Sequence, residues 1–214
     1  MLTYAFSSAL PNPPPLFDNT PTRRYSARDV VYIDGLRTIM QKAALKCASA
    51  LVIAAGLASA QSPPAQATAS IGGKKLTINY SAPSVRGRKI FDAGGIISHD
   101  PTYPVWRGGA NEATAFHTDA DLDVGGLRVL KGDYTLWVVV KDPGAWDLII
   151  NKETGQWGLN YNAAQDLGRV KMSMSKPPAL IEKMKYTLSD LGGNKAKLQL
   201  EWENHIASVP ITVK

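Results

Sequence analysis

Apolar and polar residues alternate strictly near the end of the chain. In residues 196–203 (AKLQLEWE), one row of side chains is apolar and the other is polar, and residues 209–213 and 76–80 repeat this period of two. Because successive side chains of a β-strand point to opposite faces, the pattern predicts strands with one face packed and the other in water. Glu201 and Glu203 are predicted to face water.

Turn signals divide the rest of the chain into further strands. Residues 134–140 (YTLWVVV) are β-branched and aromatic, which indicates a central strand. Gly125 and Gly126 predict a two-residue hairpin, since glycine accepts a positive φ, and residues 142–144 (DPG) predict another turn. Eight or nine such segments predict an all-β fold, an antiparallel β-sandwich of the Ig-like or jelly-roll-like kind, with at most one short helix at Ala163–Leu167.

The first 60 residues do not continue this pattern. Residues 40–60 (MQKAALKCASALVIAAGLASA) combine a basic start, a short apolar run and a small-residue end, which predicts a secretory signal peptide cut before Gln61. The alternative is an uncleaved anchor. Residues 1–39 show no sustained period and are interpreted as an over-called start, with Met40 the initiator, or as a disordered leader. We therefore expect a single domain at residues 61–214, exported to the periplasm or the medium, with no stable membrane span.

Charge and cysteine content exclude several functions. The whole chain has a net charge of +6, but residues 1–60 hold six of its 24 Lys/Arg and three of its 18 Asp/Glu, which leaves +3 for the predicted domain. With no long basic run there, nucleic acid is not an expected partner. The one cysteine, Cys47, lies in the predicted signal. The mature protein is therefore expected to have no disulfide and no thiolate nucleophile.

Residues 104–118 (PVWRGGANEATAFHT) contain the densest group of candidate binding residues. Two glycines permit a bulge or a close approach of a ligand, and an arginine offers donors that suit a carboxylate or a phosphate. Together with side chains of two other loops, this segment predicts a pocket for a small polar or anionic ligand. Its residues are Arg86, Arg88, Trp106, Arg107, Asn111, Glu112 and Trp157, with Lys89 beside them. The alternative is a structural brace, in which Arg107 pairs with Glu112 or with loop carbonyls.

Several runs together resemble a known family. They are residues 80–83 (YSAP), 87–91 (GRKIF), 106–114 (WRGGANEAT), 132–136 (GDYTL), 157–158 (WG) and 200–203 (LEWE). The set resembles the bacterial family called domain of unknown function 2911 over nearly all of residues 61–214, and the run at 106–114 is its most specific part. The resemblance implies an exported bacterial β-rich domain and implies no activity.

Other polar runs do not match the motifs of metal-binding or catalytic sites. His117, Asp119, Asp121 and Asp123 occupy every second position, but the run lacks the glycine and glutamate of a calcium loop, so we interpret it as the wet face of an edge strand. His99, His117 and His205 show no zinc-binding spacing, and neither a nucleophile elbow nor a phosphate loop is present. No metal or other cofactor is expected.

The tryptophans divide into two groups. Trp137 and Trp202 fall in the apolar phase of predicted strands and are expected in the core, while Trp146 is ambiguous. Trp106 and Trp157 lie in glycine-flanked loops, where an indole either stacks on a sugar ring or plugs the end of a sandwich.

Three hypotheses follow from these residues. The first is a non-catalytic binding module that takes a small polar or anionic ligand, or an envelope component, through its rim loops. The second is an envelope hydrolase that uses Glu112 as acid/base and Arg107 as oxyanion stabiliser. The third is a purely structural module.

Overall fold

The computed structural model describes residues 61–214, so the interpretations of residues 1–39 and 40–60 lie outside the described residues. Within this part there is no α-helix, and no helix is long and apolar enough to cross a membrane. Its strands are β1 (Pro64–Ile71), β2 (Lys74–Ser81), β3 (Val105–Trp106), β4 (Ala110–Thr118), β5 (Leu122–Val124), β6 (Leu127–Val129), β7 (Gly132–Asp142), β8 (Ala145–Asn151), β9 (Asp166–Lys171), β10 (Ser173–Ser175), β11 (Ile181–Asp190), β12 (Lys195–Glu203) and β13 (His205–Val213).

The strands form two antiparallel sheets that pack face to face. The first has the order β1-β2-β4-β7-β8-β9, with β3 beside β7, and the second has the order β11-β12-β13-β5-β6, with β10 beside β13. The alternating apolar side chains of both sheets, such as Leu76, Ile78, Leu198 and Leu200, meet in one core between them. The β-sandwich predicted from the alternation is confirmed.

Strand β7 is the central strand that its composition predicts. It lies between β4 and β8, with Leu136 and Val138 in the main core. Trp137 points to the opposite face, where it is fully buried in a second apolar cluster and Tyr161 packs on its ring at a centroid distance of 5.0 Å. A strand that is buried on both faces loses the polar row of a half-exposed strand, which explains the continuous apolar run.

The predicted turns are largely confirmed. Gly125 and Gly126 join β5 to β6, with φ of +55° and +93°, as a two-residue hairpin of type I′ requires. The expected helix at Ala163–Leu167 is shorter, a 3₁₀ turn at Ala163–Gln165 that leads directly into β9. A second 3₁₀ turn, at Ile96–His99, was not predicted.

The row from His117 to Asp123 is not one strand, so its interpretation as the face of an edge strand was wrong. Strand β4 ends at Thr118 and lies inside the first sheet, whereas Asp123 belongs to β5 in the second sheet. The hydroxyl of Thr118 donates to the carbonyl of Ala120 and accepts from its N–H, which turns the chain between the sheets. Polar residues therefore continue at every second position through the corner, although residues 119–121 do not belong to a strand.

Candidate functional site

The loops at one end of the sandwich hold most of the predicted site residues. The segment from Ala82 to Pro104 leaves β2 there, and its neighbours are the β7–β8 turn and the β12–β13 turn. Trp106 and Trp202 stack beneath these loops, with centroids 5.8 Å apart and an interplanar angle of 22°. The end of the molecule is therefore built on an aromatic floor that joins the two sheets.

Trp106 belongs to this floor and does not stand in a loop as an exposed platform. Its side chain is 1% exposed, and its Nε1 donates to the carbonyl of Gly109 over 3.0 Å. Phe91 contacts both Trp106 and Trp202 edge to face. The two glycines at 108 and 109 let the chain fold back over the indole, with Gly108 at φ +61°.

Arg107 forms a partly buried ion pair with Asp100. The Nη2 of Arg107 is 2.7 Å from Oδ2 of Asp100, and the two side chains are 14% and 9% exposed. Asp100 also accepts from the hydroxyl and the N–H of Thr102. The guanidinium lies against Gly158, where a Cβ would collide with it. The brace expected of this arginine therefore exists, with Asp100 as its partner.

Asn111 and Arg88 also hold the local backbone. Asn111 has a φ of +62°, and its Nδ2 donates to Oγ of Ser81 over 3.2 Å. Arg88 donates through Nε to the carbonyl of Val85 and through Nη2 to that of Ser84. These two residues line, with Trp106, Arg107 and Asp100, a cavity of about 240 Å³ that we call the arginine cavity.

The other three candidates lie outside the arginine cavity. Arg86 is exposed on the rim, where its N–H donates to Oε1 of Glu182. Glu112 lines a groove on the outer face of the first sheet, and its backbone forms an antiparallel bridge with that of Trp157. Trp157 is 48% exposed. Four of the seven predicted residues therefore line one cavity, and Glu112 and Arg107 line different ones.

A larger cleft lies at the same end of the sandwich and was not predicted. We call it the His205 cleft; its volume is about 860 Å³, and its lining includes Lys89, Asp92, Met174, Lys176, Glu203 and His205. This volume lies in the range of about 300–1,000 Å³ that is usual for small-molecule sites. Three loops and the β12–β13 turn contribute to it, so no single sequence motif marks it.

Glu203 is buried at the floor of this cleft, so its predicted exposure to water was wrong. Trp202 pairs with His205 across the turn, and Glu203 occupies the first of the two central positions with φ +53°. A positive φ at that position alone is the pattern of a type II′ turn, which glycine normally occupies. The turn rotates the side chain inward, where Oε1 accepts from the N–H of Ile90 over 2.8 Å.

His205 stands beside Glu203 on the aromatic floor. Trp146 stacks on its ring at 5.2 Å and 17°, and Phe91 meets it edge to face at 4.9 Å. Nδ1 of His205 is 3.5 Å from Oε2 of Glu203, and the hydrogen-bond geometry between them is poor, so the contact is electrostatic. Burial lowers the pKa of His205 in spite of the opposing effect of Glu203, which leaves the imidazole neutral at pH 7.

The mouth of the His205 cleft carries both signs of charge. Lys176 and Asp92 are exposed, and the Nζ of Lys89 donates to the carbonyl of Ala93 over 2.9 Å. Asp92 has a positive φ of +64°, a second strained position in the same lining. Within residues 61–214, no three His, Cys, Asp or Glu side chains converge as a metal site would require.

The sequence carries one signal for this cleft, at the turn between β12 and β13. In the run Trp202-Glu203-Asn204-His205, a two-residue turn between two alternating strands lacks the glycine that such turns prefer. Residues that break a local rule are expected at functional or strained positions. The missing glycine identifies the turn as unusual, but it does not show which loops pack beside the turn.

Comparison with known proteins gives one match. The sequence profile of a family described as a protein of unknown function (DUF2911) matches residues 62–211. No curated protein and no solved structure matches the chain.

Proposed function

The chain belongs to the DUF2911 family of proteins of unknown function, and from that premise we propose that it is a non-catalytic binding protein. Its ligand is a small polar molecule with a negatively charged group, and its binding site is the His205 cleft. This keeps the ligand class predicted from the sequence and moves the site from the arginine cavity to the neighbouring cleft.

The observation that carries the proposal is the conformation of Glu203. A left-handed backbone at a residue other than glycine costs about 1–3 kcal/mol, and it persists only where the surrounding structure holds it. The positive φ of this turn places a buried carboxylate at the floor of a cleft, beside a partly buried neutral histidine. Strained residues and ionisable groups with shifted pKa values concentrate at functional sites.

The cleft suits a ligand that has an anionic group and hydroxyl groups. Lys89 and Lys176 offer positive charge in its lining, where a carboxylate or phosphate is attracted. Glu203 accepts hydrogen bonds at the floor, and neutral His205 accepts one from a hydroxyl. The rings of Trp146 and Phe91 hold the imidazole in place, so little freedom of this residue is lost on binding.

The test is calorimetric titration of the purified protein with malate, glucuronate and glycerate, with glucose as the neutral comparison. We expect at least one acid to bind and glucose not to bind at this cleft. Lys176→Gln should weaken binding at least about tenfold, which corresponds to about 1.4 kcal/mol. Lys171→Gln is the matched control, because Lys171 is exposed and pairs with Asp147 on the sheet.

Two results would overturn this proposal. One is that none of the three acids binds, which removes this ligand class and leaves the hydrolase and the structural module as the remaining hypotheses. The other is that the two lysine variants bind equally well, which moves the binding away from the His205 cleft.

A second candidate function rests on the contact between His205 and Glu203. A neutral imidazole with a carboxylate at its Nδ1 and no hydrogen bond at Nε2 within the described residues has the arrangement of a general base. In this reading the protein is a hydrolase in which His205 takes a proton from an attacking water. Hydrolysis of p-nitrophenyl acetate that is lost in His205→Gln supports it, and unchanged hydrolysis in that variant excludes it. The hydrolase with Glu112 and Arg107 stays a separate prediction.

We also propose that the protein is exported. The support is the sequence of residues 40–60, with its basic start, apolar run and Ala-Ser-Ala end. Mass spectrometry of the protein recovered from the cell envelope and from the medium should find an N-terminus at Gln61. An intact N-terminus on protein retained in the cytoplasm would contradict export.

A further inference from the structure

The groove on the outer face of the first sheet has no part in the proposed binding site. Its volume is about 630 Å³, and it is lined by Gln66, Asn79, Glu112, Ala113 and Ala115, among others. We call it the sheet groove. The groove exists because Ala113 and Ala115 have small side chains, and larger side chains at these outward positions would fill it.

Gly155 lines the sheet groove, and the segment 152–161 to which it belongs is fixed to the sheet. Gln156 is buried, its Nε2 donates to Oγ1 of Thr135 over 3.1 Å, and its carbonyl accepts from the N–H of Ala113 over 3.1 Å. The N–H of Gly158 donates to the carbonyl of Asn111. The backbone is thus held on both sides of Trp157, whose own position is set by the sheet.

Trp157 does not line the groove itself but lies two residues beyond Gly155, which does, and nearly half of its surface is exposed to water. Glu112 and Trp157 are paired across an antiparallel bridge, so their side chains lie on the same face and close together. The four other tryptophans of residues 61–214 are all buried. An indole held rigidly in water, beside a groove, is the arrangement that stacks on the apolar face of a sugar ring.

The polar groups of the sheet groove match hydroxyl groups. The carboxylate of Glu112 makes no hydrogen bond or ion pair to another described residue, so it is free to accept. Asn79 accepts from Nε2 of Gln66 over 2.7 Å, which orients both amides and leaves the Nδ2 of Asn79 to donate. Among the described residues of the lining Glu112 alone is charged, and its negative charge disfavours acidic chains.

We propose that the sheet groove binds a neutral oligosaccharide. One sugar ring stacks on Trp157, and its neighbours donate hydroxyl protons to Glu112 and exchange hydrogen bonds with Asn79 and Gln66. This site rests on different residues from the His205 cleft, so either one can fail without the other.

The probes are chitohexaose and cellohexaose, which are neutral, and polygalacturonate, which is acidic. Because Trp157 is the one exposed tryptophan of the described residues, a bound sugar ring should shift the fluorescence to shorter wavelength and protect it from acrylamide quenching. We expect these changes with at least one neutral probe and not with polygalacturonate.

Three variants separate the proposed contacts. Trp157→Ala should weaken binding of the neutral probe at least about tenfold in calorimetric titration. Leu159→Ala is the matched control, since Leu159 lies in the same segment and is 39% exposed, and it should bind as the native protein does. Glu112→Gln should bind polygalacturonate better than the native protein, because the repulsion is removed. The proposal is overturned if neither neutral probe binds, or if Trp157→Ala and Leu159→Ala bind alike.

Discussion

Two groups at the rim of the sandwich are held in arrangements that cost free energy. Glu203 has a left-handed backbone in a turn that normally takes glycine, and its carboxylate is buried. Arg107 and Asp100 are charged side chains that are largely removed from water. Both arrangements persist because each is tied to other parts of the structure, Glu203 to Ile90 and Asp100 to Thr102. Single substitutions can measure what each contributes.

The strain at Glu203 is isolated by comparing Glu203→Gly with Glu203→Ala. Both variants lose the carboxylate that accepts from Ile90, but only glycine adopts a positive φ without steric cost. We expect the glycine variant to be more stable than the alanine variant by about 1 kcal/mol in urea unfolding. Equal free energies of unfolding would mean that the turn relaxes and stores no strain.

The brace at Arg107 is tested by Arg107→Ala. Removing the guanidinium leaves the partly buried carboxylate of Asp100 without its charged partner, so the free energy of unfolding should fall by about 2 kcal/mol. Arg128→Ala is the control, because Arg128 is 80% exposed, lies 3.6 Å from Asp121, and should contribute less than about 0.5 kcal/mol. A small loss in Arg107→Ala would show that water replaces the guanidinium.

At the scale of elements, the hairpin of β5 and β6 shows how turn chemistry and packing combine. Its two glycines both have a positive φ, which the sequence pattern predicts. Their surroundings differ, because a Cβ at Gly125 would collide with Val170 and Val209, whereas a Cβ at Gly126 would meet open space. The geometry of the turn therefore favours glycine at both positions, whereas packing against the core excludes a side chain only at Gly125.

Alanine substitutions at the two positions separate these effects. Gly126→Ala should cost about 1 kcal/mol, from backbone strain alone. Gly125→Ala should cost at least about 2 kcal/mol, because the added methyl group also displaces two valines of the core. Urea unfolding of both variants checks this, and equal losses would show that the valines yield without cost.

At the scale of the whole molecule, the two sheets also contact each other along their edges. Strand β1 packs against β11, and β6 against β9, so edge strands of one sheet are covered by edge strands of the other. Covered edges are protected from pairing with another chain.

The pH dependence of stability is also a property of the whole described domain, because two histidines that titrate differently lie far apart. His117 lies on the outer face of the first sheet, and His205 lies at the rim.

The two histidines should act in opposite directions. Hydrogen bonds to Asp119 and Asp133 raise the pKa of His117 above 6.5, so its stabilisation is complete below about pH 6.5 and is lost as the pH rises through the folded-state pKa. Burial lowers the pKa of His205, with Glu203, Asp92 and Lys176 nearby, so stability falls as the pH drops from about 6.5 through the folded-state pKa.

The measurement is the free energy of unfolding in urea between pH 5 and pH 8. His117→Gln should flatten the decline on the alkaline side, and His205→Gln should flatten the decline on the acid side. Thr212→Ser serves as a control without a titratable group. If His205→Gln leaves the acid side unchanged, the imidazole is hydrated in the folded protein.

The sandwich could be predicted because its signals are local. The alternation of Leu198, Leu200 and Trp202 reflects the geometry of one strand, and Gly125-Gly126 reflects one turn. The run at residues 106–114 also indicated a specific local structure, because its Trp106, Arg107 and Asn111 line one cavity together with Arg88 of the preceding loop. A strand can bury one face only if its apolar residues alternate with polar ones along the chain. The sequence alone therefore determined the fold class and the family.

The partners of the polar side chains were decided only by the tertiary structure. The brace alternative paired Arg107 with Glu112 or with loop carbonyls, but its partner is Asp100, which the path of the rim loop brings to it. Glu203 continues a polar row in the sequence, but one positive φ turns it into the interior beside Ile90, 113 residues away. Hydrogen bonds and ion pairs depend on distance and direction between segments remote in sequence, and only packing of the two sheets sets these.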